Sequence, residues 1–492
     1  MTMTDSHRTT GRLSTGQWIG GAWIPGRTTA DSLNPMDGTV VGAFADGGRD
    51  EADAAIAAAS AAFERTEWAQ SPRLRQTVLL DWARNLEAQA EDLARLLTLE
   101  NGKVLAQSRG EIAGAISEIR YYGGLARHIP GHVLEVEPGV VSTMLREPAG
   151  VAALIIPWNA PAVLLARAIG PALACGCTVV VKPAAQTTLL TAAFLRALSE
   201  VPGLPPGVCN MVSETGHAAS ARLVESPLVD VLSFTGSTAT GKRIMATAAE
   251  TMKKLSLELG GKSCCVVFPD ADIAATAARI AAAATIISGQ QCTAARRVLV
   301  HGSVYDAMKE QLRAALASIA VGDGMNPAMG MGPLIDTAAR AQVQGQAERA
   351  FDLCDEVVLR GGVPDGLPAA GAFLTPSLVA HGDTAAFFCQ EEIFGPFLVL
   401  ERFEDEAEAV AKANHTVFGL SASVWTTDGA RALRIARALR NGTVWINDHN
   451  RLFAEAETGG YRQSGLGRLH GYDAFADFTE LKHICQSVGR VS

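Results

Sequence analysis

The chain lacks any metal-binding or disulfide framework. Its nine cysteines, an odd number, fall at Cys175, Cys177, Cys209, Cys264, Cys265, Cys292, Cys354, Cys389 and Cys485, with no CxxC pair and no zinc-like spacing. Unpaired thiols scattered in this way suit a reducing compartment. A basic block is missing too and the net charge is −9, which excludes a phosphate-reading nucleic-acid surface and favours a small-molecule ligand. The opening MTMTDSHRTTGRLSTGQW has no apolar stretch of the signal-peptide kind, and the longest apolar run, 273–287, is interrupted by Arg279 and too short to span a bilayer. A cytoplasmic protein without membrane or nucleic-acid partners is expected. No internal repeat or low-complexity linker occurs. What is present is a packed chain: 492 residues, 48% hydrophobic, 19% charged and with 48 glycines, which at about 100–200 residues per domain predicts two or three domains.

Apolar residues recur at helical spacing through 50–101 and predict two amphipathic helices that stop at Asn101-Gly102. The segment 129–146, IPGHVLEVEPGVVSTMLR, alternates instead and turns at Pro138-Gly139, the pattern of a hairpin set as an arm. Short apolar runs follow, alternating with helical stretches: VAALII (151–156), TVVVKP (178–183), VCNMVS (208–213), VDVLSFTGS (229–237) and LSLELGG (255–261). Buried runs of this length predict a parallel, doubly wound sheet. A second series predicts a second α/β domain beyond a boundary near Gly260-Gly261: SCCVVF (263–268), RRVLVH (296–301), EVVLRGG (356–362), FLVLERF (397–403), SASVWT (421–426) and GTVWIND (442–448). The final ELKHICQSV (480–488) reads as a strand in need of a partner sheet.

In an open parallel sheet, ligands sit beyond the carboxyl ends of the strands. The residues there are Pro157-Trp158-Asn159, Lys182-Pro183, Thr235-Gly236-Ser237, and Glu258 with Leu259-Gly260-Gly261. Each also has a plain structural reading. FTGSTATGK is an ordinary strand-to-helix turn or an anion site built on helix N–H groups; Lys182 is a solvated cation or a ligand; Asn159 is a turn residue or a functional amide. Glu258 is the odd one, because an unpaired carboxylate in an apolar strand is costly to bury. Cys292, in SGQQCTAARR (288–297), reads alone as an inert buried thiol. Its neighbours Gly289, Gln290, Gln291 and Thr293 are not core residues, and they leave room for an approachable thiolate.

Together, FTGSTATGK, LELGGKS, GQQCTA, EEIFGP and GGYRQSGLGR, in this order and across almost the whole chain, resemble the aldehyde dehydrogenase family. Glu258 and Cys292 stand 34 residues apart, a separation that fits the family. The resemblance implies a mixed α/β fold: a dinucleotide-binding doubly wound domain (1–125 and 148–260), a second α/β catalytic domain (261–462), and a small β oligomerisation arm (126–147 and 480–492), with 463–479 returning to the cofactor domain. It implies oxidation of an aldehyde to the acid, with Cys292 as nucleophile, Asn159 and the Cys292 N–H holding the alkoxide, and Glu258 activating the hydrolytic water. Relatives that pass the acyl group to coenzyme A generally lack the glutamate, and a non-catalytic member of the fold would have no need of all three residues.

The same resemblance sets Ile156, Trp158, Lys182, Ala185, Gly216, Gly236, Ser237, Leu259, Glu392 and Phe394 against NAD or NADP. Lys182 and Glu392 would meet the riboses, and Ser237 with the following helix the pyrophosphate. The family often has a glutamate where Ala185 stands; its carboxylate would repel a 2′-phosphate, so both coenzymes stay open. No metal is implied. The substrate pocket falls to Ala160, Leu164, Arg167, Ile286, Gln291, Thr293, Leu452 and Thr458. The wording PWNAP…RAI…LACG resembles aromatic aldehyde dehydrogenases. An arginine at Arg167 also resembles succinate-semialdehyde dehydrogenases, whose second arginine is replaced here by Ile286. Arg167 itself is either a tunnel residue or half of a structural salt bridge. The loop WINDHNRLFAEAETGG would supply the far wall of the tunnel with Asp448, Arg451, Leu452 and Thr458, and its acids Asp448, Glu455 and Glu457 would suit an amino or betaine aldehyde, or else form a solvated loop face. The arm exposes unpaired backbone groups, so a homodimer or homotetramer is expected.

Overall fold

The computed structural model describes residues 8–9 and 12–489. The expected cofactor domain and arm also include residues 1–7, 10–11 and 490–492, which lie outside the described residues.

The region read as two helices holds three: α1 (Arg49–Arg65), α2 (Pro72–Ala88) and α3 (Ala90–Asn101). The long second helix breaks at Gln89, which leaves helical geometry (φ −112°, ψ 9°) just before Glu91 and Asp92. Two acidic side chains in a first turn favour a new helix N-terminus over a continued helix. Gly102, at φ 86°, closes α3 in the left-handed cap that glycine adopts without penalty. A fourth helix, α4 (Leu105–Leu125), had no clear signal. Glycines at 110, 114, 123 and 124 dilute its periodicity, and packing against α2 and α5 (Pro161–Cys175) overrides their low propensity.

An eight-stranded sheet runs Gly465–Leu466, Lys254–Glu258, Val231–Thr235, Val151–Ile155, Thr178–Lys182, Cys209–Met211, Gln17–Ile19 and Ala22–Ile24, with the five strands from Lys254–Glu258 to Cys209–Met211 parallel. These five are the ones the apolar runs predicted. The two N-terminal strands extend the sheet past Cys209–Met211, and Gly465–Leu466 closes the other edge antiparallel to Lys254–Glu258. A seven-stranded sheet follows: Glu356–Leu359, Ser377–Ala380, Phe397–Phe403, Arg297–His301, Cys264–Val267, Ser421–Trp425 and Thr443–Ile446, parallel apart from Glu356–Leu359. The change of sheet falls between Glu258 and Cys264. Ser377–Ala380 was not anticipated, and neither was a separate four-stranded N-terminal sheet containing Thr28–Leu33 and Val40–Asp46.

The hairpin His132–Glu137 and Val140–Pro148 forms as the alternation predicted, and Thr479–Ser487 lies antiparallel along Val140–Pro148. The terminal strand therefore finds its partner in the arm of its own chain. Among the described residues no helix is long and apolar enough to cross a membrane, and all nine cysteines are free.

Candidate active site

Cys292 sits on a strained approach. Helix Ile273–Thr285 gives way to Ile287 (φ 50°), Ser288 (φ 53°) and Gly289 (φ 73°), three successive residues in left-handed backbone. That conformation costs a β-branched residue about 1–2 kcal/mol. It is held from outside: the Ser288 hydroxyl is bonded to the carbonyls of Gly332 and Pro333 (2.7 and 2.9 Å), and Gln290 Oε1 accepts from Ile335 N at 3.1 Å. At Gly289 a side chain is impossible, since its Cβ would lie 2.3 Å from the Gly395 carbonyl. The turn delivers Cys292, half-buried, to the edge of a cavity of about 470 Å³.

Asn159 precedes α5, and its position is fixed by groups that the motifs did not reveal. Lys103, fully buried just beyond the Gly102 cap, donates to the Asn159 carbonyl at 2.8 Å and pairs with Glu111 on α4. Asn101 Nδ2 donates to the carbonyls of Trp158 (2.8 Å) and Asn159 (3.3 Å). Glu111 Oε1 accepts from Ala162 N at 2.9 Å, anchoring the first turn of α5 to α4. So braced, the Asn159 amide reaches the Gln290 carbonyl at 2.9 Å, beside the cysteine loop.

Glu258 ends the strand Lys254–Glu258, pinned by the facing edge strand at Gly465 and by Gly236 N, which donates to its carbonyl at 3.0 Å. Its Oε1 is buried without a partner. Burial raises its carboxyl to about 7, while the charges of Arg167 and Arg468 pull the other way. Burial likewise pushes the Cys292 thiol up to about 11; Arg167 lowers it, and Glu392 and Glu258 add to the rise.

Cys292, Glu258 and Asn159 line the same cavity, together with all eight expected pocket residues: Ala160, Leu164, Arg167, Ile286, Gln291, Thr293, Leu452 and Thr458. Arg167 is buried, with Nε and Nη2 unpartnered and no ion pair among the described residues, so the salt-bridge reading falls. Two further expectations need correction. Asp448 and Arg451 do not line the cavity; they pair with each other at 3.1 Å on the exposed face of their loop. Glu457 instead accepts from Tyr472 N (2.8 Å) and Asp473 N (3.2 Å), which leaves Glu455 as the one acidic residue of that loop on the cavity wall. His449, whose role the sequence did not signal, is half-buried and held neutral, its imidazole lowered to about 4 by desolvation. Nε2 donates to the Thr293 carbonyl at 2.8 Å and Nδ1 accepts from Ser423 Oγ at 3.0 Å, fixing the backbone next to Cys292.

A second set of expected residues follows the carboxyl ends of the parallel strands that finish at Ile155, Lys182, Thr235 and Glu258, with Glu392 and Phe394 brought up to it. Trp158 and Phe394 meet edge to face with centroids 5.7 Å apart. Glu392 Oε1 accepts from Gly261 N at 3.2 Å, and Oε2 occupies the place a Cβ on Gly260 would take, 2.2 Å away. Lys182, its ammonium lowered by burial, has Glu214 as a distant partner at 4.0 Å. Ser237 caps helix Thr238–Ala248, accepting from Thr240 N at 3.3 Å. Leu259 is buried against Gly241, Ile156 is buried, and Ala185 is half-buried beyond Lys182. Gly216 lies exposed, with open space where a Cβ would be.

A sequence model described as the aldehyde dehydrogenase family matches residues 23–484. The chain belongs to this family. Among curated aldehyde dehydrogenases it is 36% identical over 472 residues to the betaine aldehyde dehydrogenase of Bacillus subtilis (strain 168), covering 95% of this chain and 96% of that one. It is 38% identical over 474 residues to the NADP(+) succinate-semialdehyde dehydrogenase of Escherichia coli (strain K12), with 95% and 96% covered. It is also 38% identical over 484 residues to the phenylacetaldehyde dehydrogenase of Pseudomonas fluorescens, with 96% of each chain covered. A crystal structure of Staphylococcus aureus betaine aldehyde dehydrogenase in complex with NAD+ superposes with a TM-score of 0.94 at 34% identity, over 98% of this chain and 96% of that one. This aldehyde dehydrogenase is thus an oxidoreductase of a family that uses NAD or NADP.

Proposed function

We propose that this enzyme oxidises an aldehyde to its carboxylic acid through a covalent intermediate on Cys292. The observation that carries the proposal is the convergence of Cys292, Asn159 and Glu258 on one cavity, with the Glu258 carboxyl raised to about 7. A thiol at about 11 is protonated at rest and releases its proton to solvent on the way to attack, which leaves Glu258 free for the later hydrolytic step. The Cys292 sulfur attacks the carbonyl carbon to give a thiohemiacetal, and the Asn159 amide with the Cys292 N–H stabilises its oxygen without adding a charge. A bound nicotinamide coenzyme supplies the hydride acceptor. Glu258 then deprotonates the water that hydrolyses the thioester, returning the thiol and releasing the acid.

The residues at these strand ends fit NAD or NADP. Gly260 leaves the space that the Glu392 carboxylate occupies, which a side chain would deny it. Glu392 and Lys182 would hold the ribose hydroxyls, the N-terminus of Thr238–Ala248 at Ser237 the pyrophosphate, and Trp158 with Phe394 would flank the nicotinamide end. Ala185 itself presents no carboxylate to a 2′-phosphate, and the one acid beside Lys182 is Glu214 at 4.0 Å. We assign the dinucleotide to the eight-stranded unit and the cysteine to the seven-stranded unit.

For the substrate, an aromatic aldehyde is favoured. The wall is apolar at Leu164, Ile286 and Leu452, small at Ala160, and cationic at Arg167. An acid semialdehyde is the second reading, resting on Arg167 alone, because Ile286 contributes no second cation. An amino or betaine aldehyde loses support with Asp448 and Glu457 turned away. The test is reduced-coenzyme absorbance across benzaldehydes, succinate semialdehyde, betaine aldehyde and simple alkanals, with NAD and NADP in parallel. Cys292→Ala abolishes the signal with every substrate. An active Cys292→Ala variant, or acid formed only in the presence of coenzyme A, overturns the proposal.

A further inference from the structure

Beyond the reacting centre the cavity holds polar groups that the mechanism does not use. The Glu118 carboxylate on α4 is almost completely buried. Its Oε2 accepts from His470 Nδ1 at 2.8 Å, and its Oε1 has no partner. His470 is itself buried and sits in left-handed backbone (φ 60°), uncommon for a residue other than glycine. Glu118, His470 and Arg167 all line the cavity.

Helix packing puts Glu118 and Arg167 at one level. α4 and α5 run side by side in the same direction: Glu111 bonds Ala162 near the start of α5, and further along Tyr122 packs on Gly170, where a methyl would lie 2.7 Å from the ring. Glu118 and Arg167 fall between these two contacts, about two turns beyond the Asn159 end. At this level the wall thus offers unpartnered N–H donors from Arg167 and an unpartnered acceptor from Glu118, with no ion pair joining the two. Buried groups left unbonded cost free energy that a ligand reverses by bonding both.

We infer that Glu118, braced by His470, and Arg167 form a distal specificity subsite for a neutral hydroxyl group at the end of the substrate remote from the aldehyde. A hydroxyl oxygen accepts from the Arg167 guanidinium and its hydrogen is donated to Glu118 Oε1, so both unpartnered sets are satisfied by one group. A carboxylate satisfies Arg167 but confronts Glu118 with like charge, and an ether can accept but not donate. The inference rests on the aldehyde oxidation proposed above and selects within it: Arg167 alone would suit an acid, whereas Arg167 with Glu118 suits an alcohol or phenol.

The experiment compares kcat/KM of the intact enzyme for benzaldehyde and its para-hydroxy, para-methoxy and para-carboxy derivatives, and for an alkanal with its ω-hydroxy counterpart. The hydroxy compound is expected to exceed the methoxy and carboxy compounds by about 10- to 100-fold, the range of a hydrogen bond to a charged group. In Glu118→Gln the hydroxy-to-carboxy ratio is expected to fall at least tenfold. A wild-type preference for the carboxy compound, equal rates for hydroxy and methoxy, or a ratio unmoved in Glu118→Gln would overturn the inference. The wild-type ratios decide even if the variant does not fold. Turnover of alkanals but of no benzaldehyde removes only the aromatic reading, and the ω-hydroxy pair then carries the test; absence of turnover with every aldehyde removes the oxidation itself.

Discussion

Glu258 and Cys292 are tuned by the same burial in opposite functional senses. Withdrawal from water disfavours both charged forms, but it brings the carboxyl to about 7, where it can give and take protons, and moves the thiol to about 11, where it is protonated at rest. The sign of the pH dependence follows. Glu258 works as a base only when ionised, and its raised pKa means this form is present above about 7 and lost as pH falls through that value. Steady-state turnover should therefore drop about tenfold from pH 8 to pH 6 on an ionisation near 7. Glu258→Gln should keep a burst of reduced coenzyme but slow the following phase by about 100-fold or more, and lose the pH limb, as stopped-flow absorbance would record. A second residue-level test is Gly260→Ala. Its methyl would fall where Glu392 Oε2 sits, so the carboxylate must swing away, and the KM for coenzyme should rise about tenfold with kcat for a good aldehyde less affected. The sequence showed these residues because the chemistry demands a thiol, a carboxyl and an amide in motifs of fixed wording. It did not show Lys103, Glu118 or His449, whose meaning depends on which distant carbonyl or carboxylate the fold brings to them.

At the scale of elements, the site depends on how α3, α4 and α5 are locked together. Lys103 leaves the end of α3, crosses to Glu111 on α4 and holds the carbonyl of Asn159 ahead of α5. Removing one partner of a buried pair strands the other charge, at about 3–5 kcal/mol. Lys103→Met should lower stability in urea by that order and reduce kcat by displacing Asn159. Lys103→Met with Glu111→Leu should recover much of the stability without recovering kcat, a contrast that separates positioning from folding. A double variant with full activity would show that Asn159 needs no such brace. The parallel strands were legible because burial on both faces leaves continuous runs of Val, Leu and Ile. α4 was not, since four glycines blur its stripe, and Gln17–Ile19 and Ala22–Ile24 are too short to alternate visibly.

At the scale of the molecule, two parallel units meet with the Cys292 loop between them: Gly261, just past Glu258, is so close to the Cys292 carbonyl that a Cβ would lie 3.0 Å away. The three-stranded arm stands apart from this arrangement. Its outer strand His132–Glu137 is exposed along its whole length, with Val136 at 84% and Val133 at 64% of full exposure, and Leu481 on the other edge strand at 55%. Apolar side chains beside an unpaired strand edge are the pattern that proteins cover in assemblies. We therefore expect this chain to associate with copies of itself through the arm, as a dimer or a dimer of dimers. Light scattering coupled to size exclusion should give a mass of two or four chains at micromolar concentration, and Val133→Lys with Val136→Lys should shift it toward the monomer. The cavity and the expected coenzyme residues lie on other elements, so the dissociated variant should still bind coenzyme. A stable wild-type monomer at that concentration would mean that this sheet edge is left open in solution and that assembly has no part in the enzyme.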